Sequence, residues 1–224
     1  MKNIVISIGG SVILSREADA LFLKKLSSLI KKISKQNKIF IIVGGGNIAR
    51  KYIKIGRELD FDENILDQLG IDITRVNANL LTNILEISSK KIPHSTDDAK
   101  NMKESIIVMG GTTPGHSTDM VGAELAEKIN ADLLVIATNV DGIYDKDPNQ
   151  YSDAKKFDEI SIDRLINNFG TDWKSAGKNM VIDGPALSII KKAKLKTYVL
   201  NGKRLDQLEC SLTDKNFDGT KIIV

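Results

Sequence analysis

Glycines follow three apolar segments of this sequence, as Gly9-Gly10, Gly44-Gly45-Gly46 and Gly110-Gly111. A glycine at the end of a strand lets the backbone turn with positive φ, and its N–H group can approach an anion because no Cβ intervenes. A helix that begins after such a turn points its partly positive N-terminus at the same space. One glycine pair alone is an ordinary turn, but three of them after three apolar segments predict a phosphate-binding site.

The motifs of the two best-known phosphate-binding loops are missing from the sequence. It contains no GxxxxGK[ST] and no GxGxxG, so neither a P-loop enzyme nor a dinucleotide-dependent dehydrogenase is predicted. With one cysteine, Cys210, and two histidines, the chain has neither an internal disulfide nor a Cys/His structural zinc site of its own.

The elements that must position the glycines alternate between strand and helix. Short apolar segments predict strands at 4–8, 38–43, 105–109, 133–137, 196–200 and 220–223. Amphipathic spacing predicts helices at 18–34, 47–59, 67–87, 119–129, 161–168, 185–193 and near Asp206, with Thr118 or Asp119 capping the fourth and a polar loop at 138–153. Apolar strands separated by helices indicate a three-layer αβα sandwich with a mostly parallel central sheet. No linker divides the 224 residues, so we expect a single domain over 1–224.

The charge balance and the length of the apolar segments limit the kinds of ligand or surface that the protein could bind. Lysines and arginines exceed acidic residues by only 3, which is unlike a dedicated nucleic-acid-binding domain but compatible with a small polyanion such as a nucleotide. The apolar segments are far shorter than the ~20 residues of a membrane span. The sequence enters a strand pattern directly after Met1-Lys2-Asn3, without a signal peptide, so we expect a cytoplasmic protein without membrane contact.

Four sequence blocks carry a resemblance to a known family. IGGS at 8–11, VGGGNIAR at 43–50, GGTTPGHSTD at 110–119 and TNVDGIYDKDP at 138–148 resemble, in order and spacing, the amino acid kinase superfamily. The third block is narrower and resembles the archaeal-type uridylate (UMP) kinases, as does DGTKI at 218–222. The resemblance implies an eight-stranded αβα fold, phosphoryl transfer from ATP to UMP with Mg²⁺, and a homohexamer built from dimers. It also implies an N-terminal half that binds UMP and a C-terminal half that binds ATP.

The same resemblance assigns residues to each nucleotide. It implies that ATP contacts Gly9, Gly10, Ser11, Gly46, Arg50, Thr138, Asn139, Tyr144 and Asp147. It implies that UMP contacts Gly45, Asp67, Thr112, Thr113, Pro114, Gly115, His116, Ser117 and Thr118, and that Arg75 and Asn77 hold the acceptor or a subunit contact. As an alternative, Asp67 is a helix cap. His116 needs no role as a base, since the attacking phosphate oxygen is already ionised.

The catalytic residues that the resemblance implies are Gly10, Arg50 and Asp183, although Asp183 also reads as a helix cap. Many superfamily members carry a lysine two residues before the first glycine, where this sequence has Ser7. A missing positive charge there would cost transition-state stabilisation unless another cation replaces it. Our hypothesis is that Lys174 or Lys178 supplies it. Unchanged turnover after alanine substitution at both positions would refute the hypothesis.

Other functions stay open at this point. A carbamate, acetylglutamate or isopentenyl phosphate kinase of the same superfamily is the nearest alternative, although the polar 110–119 block favours a nucleotide acceptor. A nucleotide-responsive regulator or a storage protein without turnover is the alternative from a different class, and Ser7 is the feature that favours it.

Overall fold

A computed structural model describes residues 1–14, 20–87, 89, 91–171 and 181–224, except for the side chain of Phe169. Within them, strands and helices alternate along most of the chain. The strands are β1 (Lys2–Ile8), β2 (Asn37–Val43), β3 (Ile106–Met109), β4 (Leu133–Thr138), β5 (Ile143–Tyr144), β6 (Lys156–Phe157), β7 (Glu159–Ser161), β8 (Thr197–Asn201) and β9 (Thr220–Ile223). The helices are α1 (Gly10–Ile13), α2 (Ala20–Ser34), α3 (Gly46–Glu58), α4 (Glu63–Ile84), α5 (Thr96–Asn101), α6 (Thr118–Lys128), α7 (Ile162–Phe169), α8 (Gly184–Ala193) and α9 (Leu205–Leu212).

Seven strands form one sheet in the order β3-β2-β1-β4-β8-β9-β7. All neighbouring pairs are parallel except β8 with β9, so the prediction of a mostly parallel sheet is confirmed. Because β1 lies between β2 and β4, the chain extends the sheet first to one side of β1 and then to the other. Ligands of open α/β sheets bind at such a reversal of strand order, outside the carboxyl ends of the strands. The fold therefore directs attention to the loops that follow β1, β2 and β4.

The strands are apolar along their length because both faces of the sheet are covered. On β1, Ile4, Ile6 and Ile8 pack with the apolar side chains of α2, α4 and α9. Val5, on the opposite face, packs with those of α5, α6, α7 and α8. Alternate side chains of a strand point to opposite faces, so this pattern defines three layers, and the expected αβα sandwich is confirmed.

Several details differ from the sequence predictions. The described sheet has seven strands instead of eight. A separate antiparallel hairpin pairs β5, which lies inside the segment 138–153 predicted as a loop, with β6, which follows that segment. Helix α4 begins at Glu63, four residues earlier than predicted, because the Asp62 carboxylate caps it by accepting the Ile65 N–H. The expected cap of α6 was wrong as well: Ser117 caps the helix, and its hydroxyl accepts the Met120 N–H. The short α1, α5, β6 and β7 were not predicted, since segments of two to six residues carry little periodicity.

No helix in the described ranges combines the length and the hydrophobicity that a membrane span requires.

Candidate functional site

A cavity of about 590 Å³ opens at the carboxyl ends of β1, β2 and β4. It is bounded by the loops after these strands, by β5 and by the region just before α8. All nine residues predicted to contact ATP line this one cavity: Gly9, Gly10, Ser11, Gly46, Arg50, Thr138, Asn139, Tyr144 and Asp147. The lining comes from both halves of the chain. The tertiary structure thus brings together residues that are more than 130 positions apart.

The glycines after β1 and β2 let two loops pack backbone against backbone. A Cβ on Gly10 would lie 2.3 Å from the carbonyl oxygen of Gly44 and 2.3 Å from the nitrogen of Gly46. Gly46 also adopts φ +64°, which side chains rarely allow. Gly9, by contrast, has φ −55° and ordinary space around it. Glycine is therefore required at positions 10 and 46 so that the two loops can pack closely. From the sequence alone, these glycines had been explained only by a turn and by phosphate binding.

The helices that begin in these two loops have N-termini free of side-chain caps. Neither α1 nor α3 has a capping side chain or an acidic residue in its first turn. Ser117 and Asp183, in contrast, cap α6 and α8. The first N–H groups of a helix need a partner, and an anion can provide one. The α1 and α3 ends of the cavity are therefore suited to phosphate.

Arg50 adds positive charge at this end of the cavity. It lies in the first turns of α3, lines the cavity and donates a hydrogen bond to the Asn47 side chain. The other described cationic residue in the lining is Lys146, whose ammonium group pairs with Asp153 at 2.6 Å. Among the described residues, Arg50 is thus the lining cation that has no carboxylate partner.

Ser7 occupies the place where the resemblance leads one to expect a lysine, and its hydroxyl is already engaged. Its side chain is buried, and Oγ donates to Oδ1 of Asp119 at 2.7 Å. Asp119 lines the cavity but was missing from the predicted site residues. The signal was present, because Asp119 closes the GGTTPGHSTD block, but it was interpreted as a possible helix cap. Lys174 and Lys178, the predicted substitutes for the missing charge, lie outside the described residues.

Asp119, in the first turn of α6, and Asp183, the N-cap of α8, form a pair of interacting carboxylates. Burial, and secondarily the charge of Asp183, raises the pKa of Asp119 to about 7, although the Ser7 hydrogen bond opposes the shift. Burial also raises the pKa of Asp183, against the hydrogen bond donated by Ser117. Asp183 does cap α8, since Oδ1 accepts the Ala186 N–H at 2.8 Å. Its capping role and its position beside Asp119 are therefore compatible.

The loop at 112–118, which holds most of the predicted UMP contacts, lies beside the cavity. Of the nine residues, Gly45 and Thr118 line the cavity, whereas Asp67, Thr112, Thr113, Pro114, Gly115, His116 and Ser117 do not. The Asp67 carboxylate accepts the Gly115 N–H at 2.7 Å from within α4. Asp67 is thus not the cap of α4, which is Asp62.

Helix α4 forms hydrogen bonds with the segment that leads into the 112–118 loop and with the loop between β2 and α3. The Thr74 hydroxyl accepts the Gly111 N–H at 2.7 Å, and Arg75 Nη2 donates to the Thr112 carbonyl at 3.2 Å. The buried Asn77 amide donates to the Gly44 carbonyl at 2.8 Å, so it fixes the glycine loop. Asn77 thus has an internal role, and its expected part in an acceptor or subunit contact stays a prediction.

Two buried nitrogen atoms near the 112–118 loop lack hydrogen-bond partners among the described residues. They are Nε of Arg75 and Nδ1 of His116. A buried polar atom without a partner is unfavourable, so a polar ligand that reached these nitrogen atoms would gain a hydrogen bond.

The loop after β4 is organised by its own side chains. Both carboxylate oxygens of Asp147 are used locally: Oδ1 accepts the Asn149 N–H at 2.9 Å and Oδ2 accepts the Gln150 amide at 3.0 Å. Burial raises the pKa of the Tyr144 hydroxyl in the same region. Asp147 thus shapes the turn beside the cavity, whichever ligand the cavity takes.

In the described ranges no three His, Cys, Asp or Glu side chains form a metal-binding cluster.

Comparisons with known proteins identify the family of this chain. The model of the Amino acid kinase family matches residues 2–201, and the chain belongs to this family. Within it, the chain is similar to proteins named uridylate kinase. It is 48% identical to the one from Methanocaldococcus jannaschii over 93% of this chain and 95% of that protein. It is 41% identical to the one from Methanobrevibacter smithii, over 99% of both. The crystal structure of uridylate kinase from Archaeoglobus fulgidus superposes with a TM-score of 0.85 at 38% identity, over 99% of this chain and 100% of that one.

Proposed function

We propose that this chain is a uridylate kinase, which transfers the γ-phosphoryl group of ATP to UMP and yields ADP and UDP for pyrimidine nucleotide biosynthesis in the cytoplasm. The observation that carries the proposal is one cavity with two uncapped helix N-termini, in a chain that matches proteins named uridylate kinase over nearly its whole length. In the reaction, the bond between the β,γ-bridging oxygen and the γ-phosphorus breaks. A phosphate oxygen of UMP forms the new bond, and ADP leaves.

We place the donor triphosphate against the joined loops after β1 and β2. The N–H groups of α1 and α3 and the Arg50 guanidinium would face its oxygens. Phosphoryl transfer requires little covalent chemistry from the protein, and positive groups that stabilise the transferring oxygens supply most of the rate enhancement. The apolar part of the lining, formed by Ile143, Leu165, Ile182 and Leu187, suits the adenine ring.

We place the acceptor nucleotide between α4 and the 112–118 loop, so that its phosphate reaches the cavity near Gly45 and Thr118. The unpaired nitrogen atoms of Arg75 and His116 support this position, since a bound nucleotide offers oxygen acceptors. The acceptor needs no general base, because a phosphate monoester is already ionised near neutral pH. Specificity for the base then depends on the contacts of the 112–118 loop.

We propose Mg²⁺ as the cofactor, held by Asp119 and Asp183. Two adjacent carboxylates fit this ion, which usually binds one or two protein carboxylates together with substrate phosphates and water. The charge of Asp183 contributes, after burial, to the raised pKa of Asp119, so a cation bound between the two carboxylates would relieve this repulsion. When bound, Mg²⁺ neutralises charge on the phosphate oxygens. The protein residues themselves orient the two nucleotides and exclude water.

The proposed homohexamer is supported by an exposed apolar face on α3 and α4. Its large side chains are Ile48, Tyr52 and Ile55 on α3, Leu59 at the C-cap of α3, and Ile65, Val76 and Leu80 on α4. The α3 residues recur at intervals of three and four, so they form one stripe along the helix. A contiguous apolar surface of this kind is typical of a protein–protein interface. Light scattering after size-exclusion chromatography tests the assembly, and Ile55→Lys should dissociate it.

The decisive experiment is a coupled ADP-release assay with Mg²⁺-ATP and a panel of acceptors, together with chromatographic detection of UDP. We expect UMP-dependent release and stoichiometric UDP, with much slower release for CMP and isopentenyl phosphate. Preferred turnover of isopentenyl phosphate, carbamate or acetylglutamate would refute the acceptor assignment. Nucleotide binding without any UDP would instead support a regulator. Removal of Mg²⁺ with EDTA should abolish turnover, and added Mg²⁺ should restore it.

A further inference from the structure

The hydroxyl of Thr220 links two chain segments that are distant from it in sequence. Thr220 is the first residue of β9 and is fully buried. Its Oγ1 donates to the carbonyl oxygen of Phe157 at 2.5 Å and accepts the N–H of Ile143 at 2.8 Å. One hydroxyl therefore uses its proton and one lone pair to bridge both strands of the β5–β6 hairpin.

The hairpin depends on this bridge because its own pairing is minimal. The paired residues are Ile143 with Phe157 and Tyr144 with Lys156, and neither strand joins the seven-stranded sheet. Asp145 and Lys155 add two hydrogen bonds between the arms just beyond these pairs. A two-stranded hairpin is at best marginally stable by itself. Thr220, in contrast, is paired with Val199 in the sheet. The Thr220 hydroxyl thus anchors the hairpin to the sheet at the Ile143–Phe157 pair.

The anchored hairpin forms part of the cavity wall. Ile143 and Tyr144 both line the cavity in which we place the donor nucleotide. Gly142, the preceding residue, lies so close to the anchor that a Cβ there would be 2.5 Å from Thr220 Oγ1. Asp218 adds ion pairs to Lys156 and Arg204 on the outside of the hairpin. These pairs are partly exposed and contribute little individually. The main-chain hydrogen bond from the Lys221 N–H to the Asp158 carbonyl, at 2.8 Å, ties the end of β6 to β9. The buried Thr220 hydroxyl is the side-chain group that ties β5 as well as β6 to the sheet.

We propose that Thr220 is a positioning residue for the donor nucleotide, acting through the β5–β6 hairpin that it holds against the cavity. The proposal rests on the proposed function, because that function assigns the cavity to ATP. Thr220 does not line the cavity and contacts no substrate directly. Its effect should therefore appear in donor affinity, and only weakly in acceptor affinity.

The test compares Thr220→Val, which replaces the hydroxyl with a methyl group of similar size, with Thr220→Ser, which keeps the hydroxyl. Loss of the hydroxyl leaves the Ile143 N–H and the Phe157 carbonyl without their partner. We expect Thr220→Val to raise the KM for ATP about tenfold, with the KM for UMP changed less than twofold, and Thr220→Ser to restore the ATP value. Binding of a non-hydrolysable ATP analogue, measured by calorimetry, should weaken in parallel.

Thr197→Val is the matched control for a loss of stability alone. Thr197 is an equally buried strand threonine on neighbouring β8, and its hydroxyl donates to the Leu195 carbonyl at 2.9 Å, away from the cavity. Its substitution should lower the melting temperature without changing analogue binding. Gly142→Ala is a second variant, because it displaces the hairpin while Thr220 stays intact, and it should weaken analogue binding as Thr220→Val does.

Unchanged analogue binding in Thr220→Val and Gly142→Ala would overturn the proposal, as would equal increases in both KM values. Failure of the proposed function gives a different result, since the wild-type chain would then produce no UDP from UMP. In that case the calorimetric comparison of Thr220→Val with Thr197→Val still decides whether Thr220 positions the nucleotide.

Discussion

The two glycines after β1 should respond in opposite ways to the same substitution. Gly10→Ala places a Cβ 2.3 Å from two backbone atoms, Gly44 O and Gly46 N, which is more than 1 Å inside the 3.4 Å of ordinary contact. Neither neighbour is a side chain that can rotate away, so the two loops must separate. Gly9→Ala meets its first neighbour, the Ala137 carbonyl oxygen, at 3.5 Å. Its φ of −55° and ψ of 134° suit any residue.

These contacts set the expected magnitudes. Overpacking a rigid site costs roughly 1–3 kcal/mol. A glycine-to-alanine change that fits the backbone stabilises by about 0.4–1 kcal/mol, since the unfolded chain loses freedom. Gly10→Ala should therefore destabilise by about 2 kcal/mol, and Gly9→Ala should be neutral or slightly stabilising. At about 2–4 °C per kcal/mol for a chain of this size, Gly10→Ala should lower the melting temperature by roughly 4–8 °C.

Thermal and urea denaturation followed by circular dichroism measure both variants without any ligand. The absence of nucleotide matters, because a methyl group at either position also changes the phosphate end of the cavity. A free energy of unfolding for Gly10→Ala within about 0.5 kcal/mol of that of the parent chain would refute the argument from loop packing. So would a Gly9→Ala variant that loses as much stability as Gly10→Ala, because the two glycines would then share one requirement.

Substitutions at three further residues test the site. Asp119→Asn addresses the carboxyl whose pKa burial raises to about 7. Between pH 4 and 7 the folded state holds a proton that the unfolded state has lost, so this group makes stability fall as the pH rises through that window. The variant should flatten the fall, as measured by urea denaturation at a series of pH values, and an unchanged slope would contradict the assignment. Arg50→Ala should lower kcat/KM for ATP by about 10–100-fold in the coupled assay, with partial recovery in Arg50→Lys, because a charge on the transferring oxygens is lost; equal activity of all three proteins would argue against contact with the phosphates. Asp67→Ala should raise the KM for UMP about tenfold and leave that for ATP unchanged, since the Gly115 N–H loses its acceptor. Asp67→Asn, which keeps an acceptor oxygen, separates loop anchoring from the charge, and an effect on the KM for ATP alone would overturn the assignment of Asp67 to the acceptor side.

The local sequence pattern was sufficient to predict the main strands and helices and the glycine loops. The buried strands are continuous apolar segments, and the longer amphipathic helices repeat with a helical period, so both can be recognised without knowledge of their neighbours. The β5–β6 hairpin is different. Its two-residue strands have no detectable period, and both are hydrogen-bonded to Thr220, more than 60 residues further along the chain.

The roles of individual polar residues depended on the tertiary structure. The types and order of Asp67, Asn77 and Asp119 are visible in the sequence, but their partners are backbone groups or hydroxyls from other elements. No local pattern states which glycine carbonyl an asparagine in α4 will reach. Ser7 stands where the family resemblance leads one to expect a lysine, and only the structure shows that the Ser7 hydroxyl is hydrogen-bonded to Asp119.

By itself, the sequence determined the αβα class and the family, and it predicted phosphate binding at the strand ends, because these follow from periodicity and from motifs of contiguous residues. Only the tertiary structure showed that the nine residues predicted to contact ATP line one cavity. It also showed that Gly10 and Gly46 allow the loops after β1 and β2 to pack against each other. It also revealed the Asp119–Asp183 pair and the anchoring of the hairpin by Thr220. The physical reason is that distance and burial between remote segments determine hydrogen bonds, pKa values and close contacts, and neither quantity is encoded in local spacing.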